Sequence, residues 1–193
     1  DFTIECWFNP TNSQSGNLNE RTPIINQHRT GRDTDCSFDF SHTNSKSISC
    51  YVFTGRRYIA LTKRNVIKYG EWHHLAVVRS GTRLIGFLNG DIFAEANIGS
   101  KFVNNSSQPL QVGIITNGGT VPSSAYPKNF IGYIQDIRIS KKAIYTGCFN
   151  VPESLHLVCP TPTPTPTFKF TAGILEKEAN VGDYDIVVSE GEG

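Results

Sequence analysis

The stretch that most limits what this chain can fold into runs from Glu71 to Ala96. Glu71-Trp72-His73-His74-Leu75-Ala76-Val77-Val78-Arg79 is a strand-like run that stops at the turn signal Ser80-Gly81-Thr82. A second run, Arg83-Leu84-Ile85-Gly86-Phe87-Leu88, stops at Asn89-Gly90. Asn-Gly is the strongest two-residue hairpin signal, because both central positions of a type I′ turn need positive φ. A third run, Asp91 to Ala96, completes a β-meander.

The rest of the chain repeats this pattern. Phe2, Ile4, Cys6 and Phe8 alternate with Thr3, Glu5 and Trp7, and Asn9-Pro10 ends the run. Strands are expected at Pro23–Gln27, Arg57–Leu61, Asn65–Lys68, Gln111–Ile115 and Phe130–Ser140, with a hairpin from Asp35–Phe40 and Ser47–Phe53. Many short strands at regular spacing, with almost no helical periodicity, predict an antiparallel two-sheet sandwich.

Three stretches carry a resemblance. The pattern W-H-H-L-A-V-V-R…G…L…F-L-N-G over Trp72–Gly90 resembles the central signature of laminin G-like domains in the concanavalin A-like jelly-roll superfamily. Asp1-Phe2-Thr3-Ile4-Glu5-Cys6-Trp7-Phe8 is similar to their early strand, and Gly132-Tyr133-Ile134-Gln135-Asp136-Ile137-Arg138-Ile139-Ser140 to their closing strand. The resemblance implies a jelly-roll sandwich over residues 1–159 and says less about function, since one fold hosts many functions.

Composition shifts sharply at Pro160. Residues 160–167 are four Pro-Thr pairs, a semi-rigid polyproline linker of roughly 25 Å. Its threonines Thr161, Thr163, Thr165 and Thr167 are O-glycan candidates. The 26 residues from Phe168 to Gly193 are too few for an independent domain. They still contain strand-like pieces around Phe168 and Phe170 and around Tyr184, Ile186 and Val188. Lys169 and Lys177 face six acids there, so the tail carries −4 and residues 1–167 carry +5.

Members of the resembled family usually have a strand-bearing segment ahead of the Asp-Phe, often with Gly-Asp-Tyr and a closing Gly-x-Gly. Here Gly182-Asp183-Tyr184 and Gly191-Glu192-Gly193 stand in the tail instead. The chain thus looks cut in a circularly shifted frame, as a processed form or an excerpt of something longer. A sandwich short of a strand exposes an edge, and a tethered strand is its natural filler. Reach into the next copy would build a head-to-tail array, with Phe168, Phe170, Tyr184, Ile186 and Val188 as subunit contacts. Tandem repeats of one polyprotein would give the same linear array. The alternatives are a disordered stub or the opening of an unrelated domain.

No catalytic residue is expected. Jelly-roll glucanases of the resembled superfamily use a Glu-x-Asp-x-x-Glu strand, and the carboxylates here lack that spacing. Gly-x-Ser-x-Gly and Walker patterns are absent. His73 and His74 are adjacent, so in a strand they face opposite sides and read as packing residues. No metal centre is expected and no cofactor is implied. Calcium at Asp33 and Asp35 is a minor possibility suggested by loop oxygen chemistry. The net charge of +1 argues against nucleic acid, and no apolar run is long enough to span a membrane.

Cys36 and Cys50 flank the hairpin loop at His42-Thr43-Asn44, and Cys148 and Cys159 bracket a short Pro-containing loop, so two local disulfides are expected, with Cys6 a small buried hydrophobe. The competing reading is five thiols in a reducing compartment. Asn104 and Asn105 open two overlapping N-x-S sequons. Tyr51, Tyr58 and Tyr126 could stack on sugar rings, and Arg56-Arg57 with Lys63-Arg64 could dock the acidic tail. The sequence therefore points to a non-enzymatic module outside the cell or on a cell or virion surface. Its leading reading is a fibre subunit joined to copies of itself. The rival is a carbohydrate-binding adhesin or phage tail-fibre module with glycans as partners.

Overall fold

The computed structural model describes residues 1–11, 21–29, 32–116 and 129–153. The body, Asp1–His156, is one compact unit; a second unit, Leu157–Gly193, lies outside the described residues, as do the linker and tail contacts named above. Ten strands are described: β1 Phe2–Pro10, β2 Arg21–Gln27, β3 Phe38–Thr43, β4 Ile48–Thr54, β5 Arg57–Lys63, β6 His73–Ser80, β7 Arg83–Leu88, β8 Asp91–Asn97, β9 Gln111–Val112 and β10 Gly132–Ser140. They form two antiparallel sheets, ordered β10-β1-β6-β7-β8 and β5-β4-β3-β2-β9. Among the described residues the only helical turn is Asp33–Asp35.

The period-two pattern fixes which face goes inward. Ile4, Cys6 and Phe8 of β1, Leu75 and Val77 of β6, and Phe38, Phe40, Cys50, Val52 and Leu61 of the second sheet meet in one core. The predicted meander is β6-β7-β8, joined through Gly81 and through Asn89-Gly90, both of whose residues have positive φ (54° and 85°). Glycine is demanded at position 90. A Cβ there would collide with the carbonyl oxygen of Phe149.

That collision shows a feature the alternation did not predict. The outer face of the first sheet is also covered. After β10, residues 141–153 cross that face as a strap and reach the β7–β8 turn, where the Phe149 N–H donates to the Gly90 carbonyl (3.1 Å). Ala143, Tyr145 and Phe149 close a second small core over Ala76, Val78, Ile85 and Phe87. The Tyr145 and Phe149 rings stack at 3.6 Å.

Several expectations are corrected. Asn65–Lys68 is not a strand: Asn65 takes φ 59°, and the Val66 and Ile67 N–H groups both donate to the Lys46 carbonyl. The Gln111 strand stops at Val112 rather than Ile115. Cys36 and Cys50 are not bridged. Strand register places Phe40 opposite Cys50, and the Cys36 thiol turns to the carbonyls of Arg29 and Arg32 (3.3 and 3.2 Å). Cys148 is an exposed thiol, and Cys159 lies outside the described residues. Cys6 is fully buried, as expected for a small hydrophobe.

Candidate functional site

Four places could hold chemistry, and three are structural. The first is the pair His73 and His74. They point to opposite faces, as adjacent strand residues must, and both are buried. His73 packs on Phe8 in the main core, while the His74 Nε2–H donates to Glu5 Oε2 at 3.0 Å. Glu5 also accepts from Arg138 Nε (2.6 Å) and Tyr145 Oη (3.0 Å). Burial alone would raise the Glu5 pKa, but the bonds from His74, Arg138 and Tyr145 outweigh it and hold the carboxyl below its ordinary range. Burial, then the Glu5 charge, pushes the Tyr145 hydroxyl up to about 12. With both Glu5 and His74 side chains sealed from solvent, this cluster is a clasp for the strap, not a reaction centre.

The second is the Asp33–Asp35 loop. The Asp35 carboxylate accepts from the Ser107 N–H (2.8 Å), the Ser106 and Ser107 hydroxyls and the Gln108 amide (2.8 Å). A shell rich in N–H donors is the inverse of a calcium ligand set. The Ser107 backbone bond is the main reason the Asp35 carboxyl titrates below its ordinary range. Among the described residues, no group of three His, Cys, Asp or Glu could hold a metal ion. The third is the sequon pair. Asn104 uses both Nδ2 hydrogens, donating to the carbonyls of Asp33 (2.9 Å) and Gly55 (2.8 Å), so a glycan there would break a loop contact. Asn105 is exposed.

The basic cluster is dispersed by the fold. Arg56 precedes β5 and Arg57 opens it, while Lys63 closes it and Arg64 follows, roughly 20 Å away at about 3.3 Å per residue.

The fourth place is the outer face of the second sheet. Register aligns its polar side chains in rows across strands. Arg21 lies opposite Thr43, whose N–H donates to the Ser47 carbonyl. The next outward-facing row is Pro23, Ser41, Ser49 and Thr62, and the one after is Asn26, Asp39, Tyr51 and Ala60. Arg21, Thr43, Ser45, Ser47, Ser49, Tyr51, Thr62 and Arg64 line a groove of about 250 Å³. Arg21 organises one wall. It pairs with the buried Asp39, donates through Nε to Ser41 Oγ (3.0 Å), and lies 4.2 Å from the Tyr51 ring centroid. The hydroxyls of Thr43, Ser45 and Ser47 form a chain at 2.8 and 3.1 Å. Tyr51 meets Tyr58 edge-on at 4.9 Å, and Tyr58 remains half exposed.

The structure thus brings together two of the three tyrosines singled out from the sequence; Tyr126 lies outside the described residues. Sequence reasoning missed Arg21, Asp39 and the serine row. The signal was present: Ser47, Ser49 and Tyr51 alternate with the buried Ile48, Cys50 and Val52. The groove offers hydroxyl donors and acceptors beside aromatic rings, and among the described residues its lining is Arg, Thr, Ser and Tyr only.

Among solved structures, the chain is similar to the sialidase module CBM40 of Ruminococcus gnavus, with TM-score 0.57 and 14% identity over 75% of this chain and 77% of that one. It is also similar to domains LG4-5 of the mouse laminin α1 chain, with TM-score 0.54 and 17% identity over 72% of this chain and 34% of that one. A leech intramolecular trans-sialidase matches with TM-score 0.57 and 15% identity, over 75% of this chain and 22% of that one. At these identities the likeness is one of fold. This chain therefore spans only about a third of the laminin structure. No curated protein matches its sequence. The family Laminin_G_3, described as the concanavalin A-like lectin/glucanases superfamily, matches residues 1–146. With the two-sheet jelly-roll topology and that match, the chain belongs to the concanavalin A-like lectin/glucanase superfamily.

Proposed function

We propose that this chain is a non-catalytic carbohydrate-binding module acting outside the cell or on a cell or virion surface, with the outer groove of the second sheet as its glycan site. The carrying observation is the groove itself: an Arg21–Tyr51 wall above rows of serine and threonine hydroxyls, spread over three adjacent strands. Sugars present hydroxyls at their edges and weakly apolar C–H faces, which suit hydroxyl rows and tyrosine rings respectively. The similar CBM40 structures include complexes with α2,3- and α2,6-sialyllactose, which supports a sugar ligand for this architecture. Strand positions make the site rigid and largely preformed, so binding needs little ordering. Among the described residues its lining holds no carboxylate, so the expected binding mode uses hydroxyls and rings rather than a bridging calcium ion.

The test is a glycan array followed by calorimetry of the best sugar. Tyr51→Ala should weaken binding about tenfold, the worth of one good ring contact, and a chelator should change nothing. No glycan bound, or a Tyr51→Ala variant that binds as well as the parent, would overturn the assignment.

A head-to-tail array is the second reading, and a different observation favours it. Among the described residues β10 pairs only with β1, and two of its isoleucines are exposed, Ile137 at 38% and Ile139 at 53%.

A further inference from the structure

The strap covers the outer face of the first sheet over Ala76, Val78, Ile85 and Phe87, but the corner where β1 ends and β6 and β10 begin stays open. Register brings outward-facing positions of three strands together there. Tyr133 lies opposite Asn9, and Phe8 lies opposite His73, so Trp72 flanks Asn9 from the other side. The close approach of β10 depends on Gly132, where a Cβ would collide with the Asn9 carbonyl oxygen. The Trp72 and Tyr133 rings lie 6.3 Å apart, tilted at 40°, and are 41% and 64% exposed. Gln135, two residues further along β10 and opposite Trp7, is exposed too, and its amide has no hydrogen-bond partner among the described residues.

We propose that Trp72, Tyr133 and Gln135 form a second sugar-binding site, which takes the C–H face of a neutral hexopyranose within an oligosaccharide. It lies on the outer face of the first sheet, away from the groove of the second, and does not rest on the groove reading. The size of the shelf selects the ligand. Exposed at those fractions, rings of about 150–250 Å² each offer on the order of 200 Å², and about 300 Å² with Ile131, the exposed residue two before Tyr133. A stable protein partner takes about 800 Å² from each side, whereas one or two sugar rings need no more than the shelf offers. Two tilted rings receive the weakly apolar C–H face, and the free Gln135 amide meets the hydroxyls at its edge with both donor and acceptor. Charge selects a neutral sugar: Lys68 and Glu71, which precede Trp72, pair with each other at 3.4 Å.

The test exploits the presence of only two tryptophans. In the full 193-residue chain, Trp7→Phe leaves Trp72 as the sole indole emitter. It is titrated with neutral hexasaccharides of α- and β-linked glucose, β-linked mannose and β-linked N-acetylglucosamine. At least one should change the Trp72 emission saturably. Tyr133→Ala should weaken that response about tenfold, Gln135→Ala should weaken it as well, and Tyr51→Ala in the groove should leave it unchanged. Should Trp7→Phe fail to fold, the parent read against Trp72→Phe gives the same comparison. No response to any of the four sugars overturns the site, as does a response that Tyr133→Ala leaves intact. A response lost in Tyr51→Ala but kept in Tyr133→Ala strikes the shelf and leaves the groove standing; the converse supports the shelf whatever becomes of the groove. Quenching by decaproline but by no sugar, or a mass that doubles in light scattering and returns to monomer in Tyr133→Ala, makes the occupant a peptide or a second copy and overturns the sugar assignment.

Discussion

Replacing Glu5 by Gln tests whether the strap is clasped by charge. The carboxylate is fully buried and accepts three bonds, from Arg138 Nε, His74 Nε2 and Tyr145 Oη. A glutamine keeps the shape but presents an amide N–H₂ to at least one of those donors. Breaking a buried charged pair costs about 3–5 kcal/mol. The Arg138 side chain is 31% exposed and can turn to water, which argues for the lower end, about 3 kcal/mol. In a domain of this size that lowers Tm by roughly 6–12 °C. The sign of the pH dependence follows from the direction of the shift. Because the folded carboxyl titrates below its unfolded value, its stabilisation is present above about pH 4.3 and is lost as pH falls through the folded pKa. Thermal melts of parent and Glu5→Gln should therefore differ most near neutrality and converge in acid. A shift under about 2 °C near pH 7, or a gap that stays constant down to about pH 3, would refute a charge-held clasp.

Other perturbations read separate parts of the structure. Gly90→Ala puts a Cβ into the Phe149 carbonyl at φ 85° and should cost about 3 kcal/mol in a urea melt, against about 1 kcal/mol for Gly81→Ala, where the space is open. Equal costs would mean the strap is not seated there. Burial pushes the His42 imidazole down to about 4, so the unfolded chain takes up its proton first. Stability should therefore decline as pH falls from about 6.5 toward 4, and His42→Phe should flatten that decline. Alkylation without reductant should modify Cys36 and Cys50 once the chain is unfolded, and a 36–50 bridged peptide in a non-reducing digest would contradict the free thiols.

Much of the fold was legible because alternation and turn chemistry are local. Asn89-Gly90 and Gly81 announced the meander, and the β1 alternation grouped Ile4, Cys6 and Phe8 on one face, which the fold turns to the core. The strap was not legible, because Thr3, Glu5 and Trp7 look like a solvated face until a segment about 140 residues later covers them. The Cys36–Cys50 expectation failed for a related reason: nearness along a hairpin does not fix which residues lie opposite. The strand register instead sets Val52 opposite Phe38 and Cys50 opposite Phe40. The groove was half visible. Its tyrosines drew notice, but Arg21 gains meaning only when β2 lies beside β3 and brings it to Asp39 and Tyr51.

The most direct test of the central claim is amide chemical-shift mapping with the best sugar from the array. Perturbed amides should cluster on residues 43–51 and 58–64, with Arg21 beside them. Shifts confined to the Asp33–Cys36 and Asn104–Gln108 loops, or to β10, would place the ligand elsewhere and contradict the groove as the glycan site.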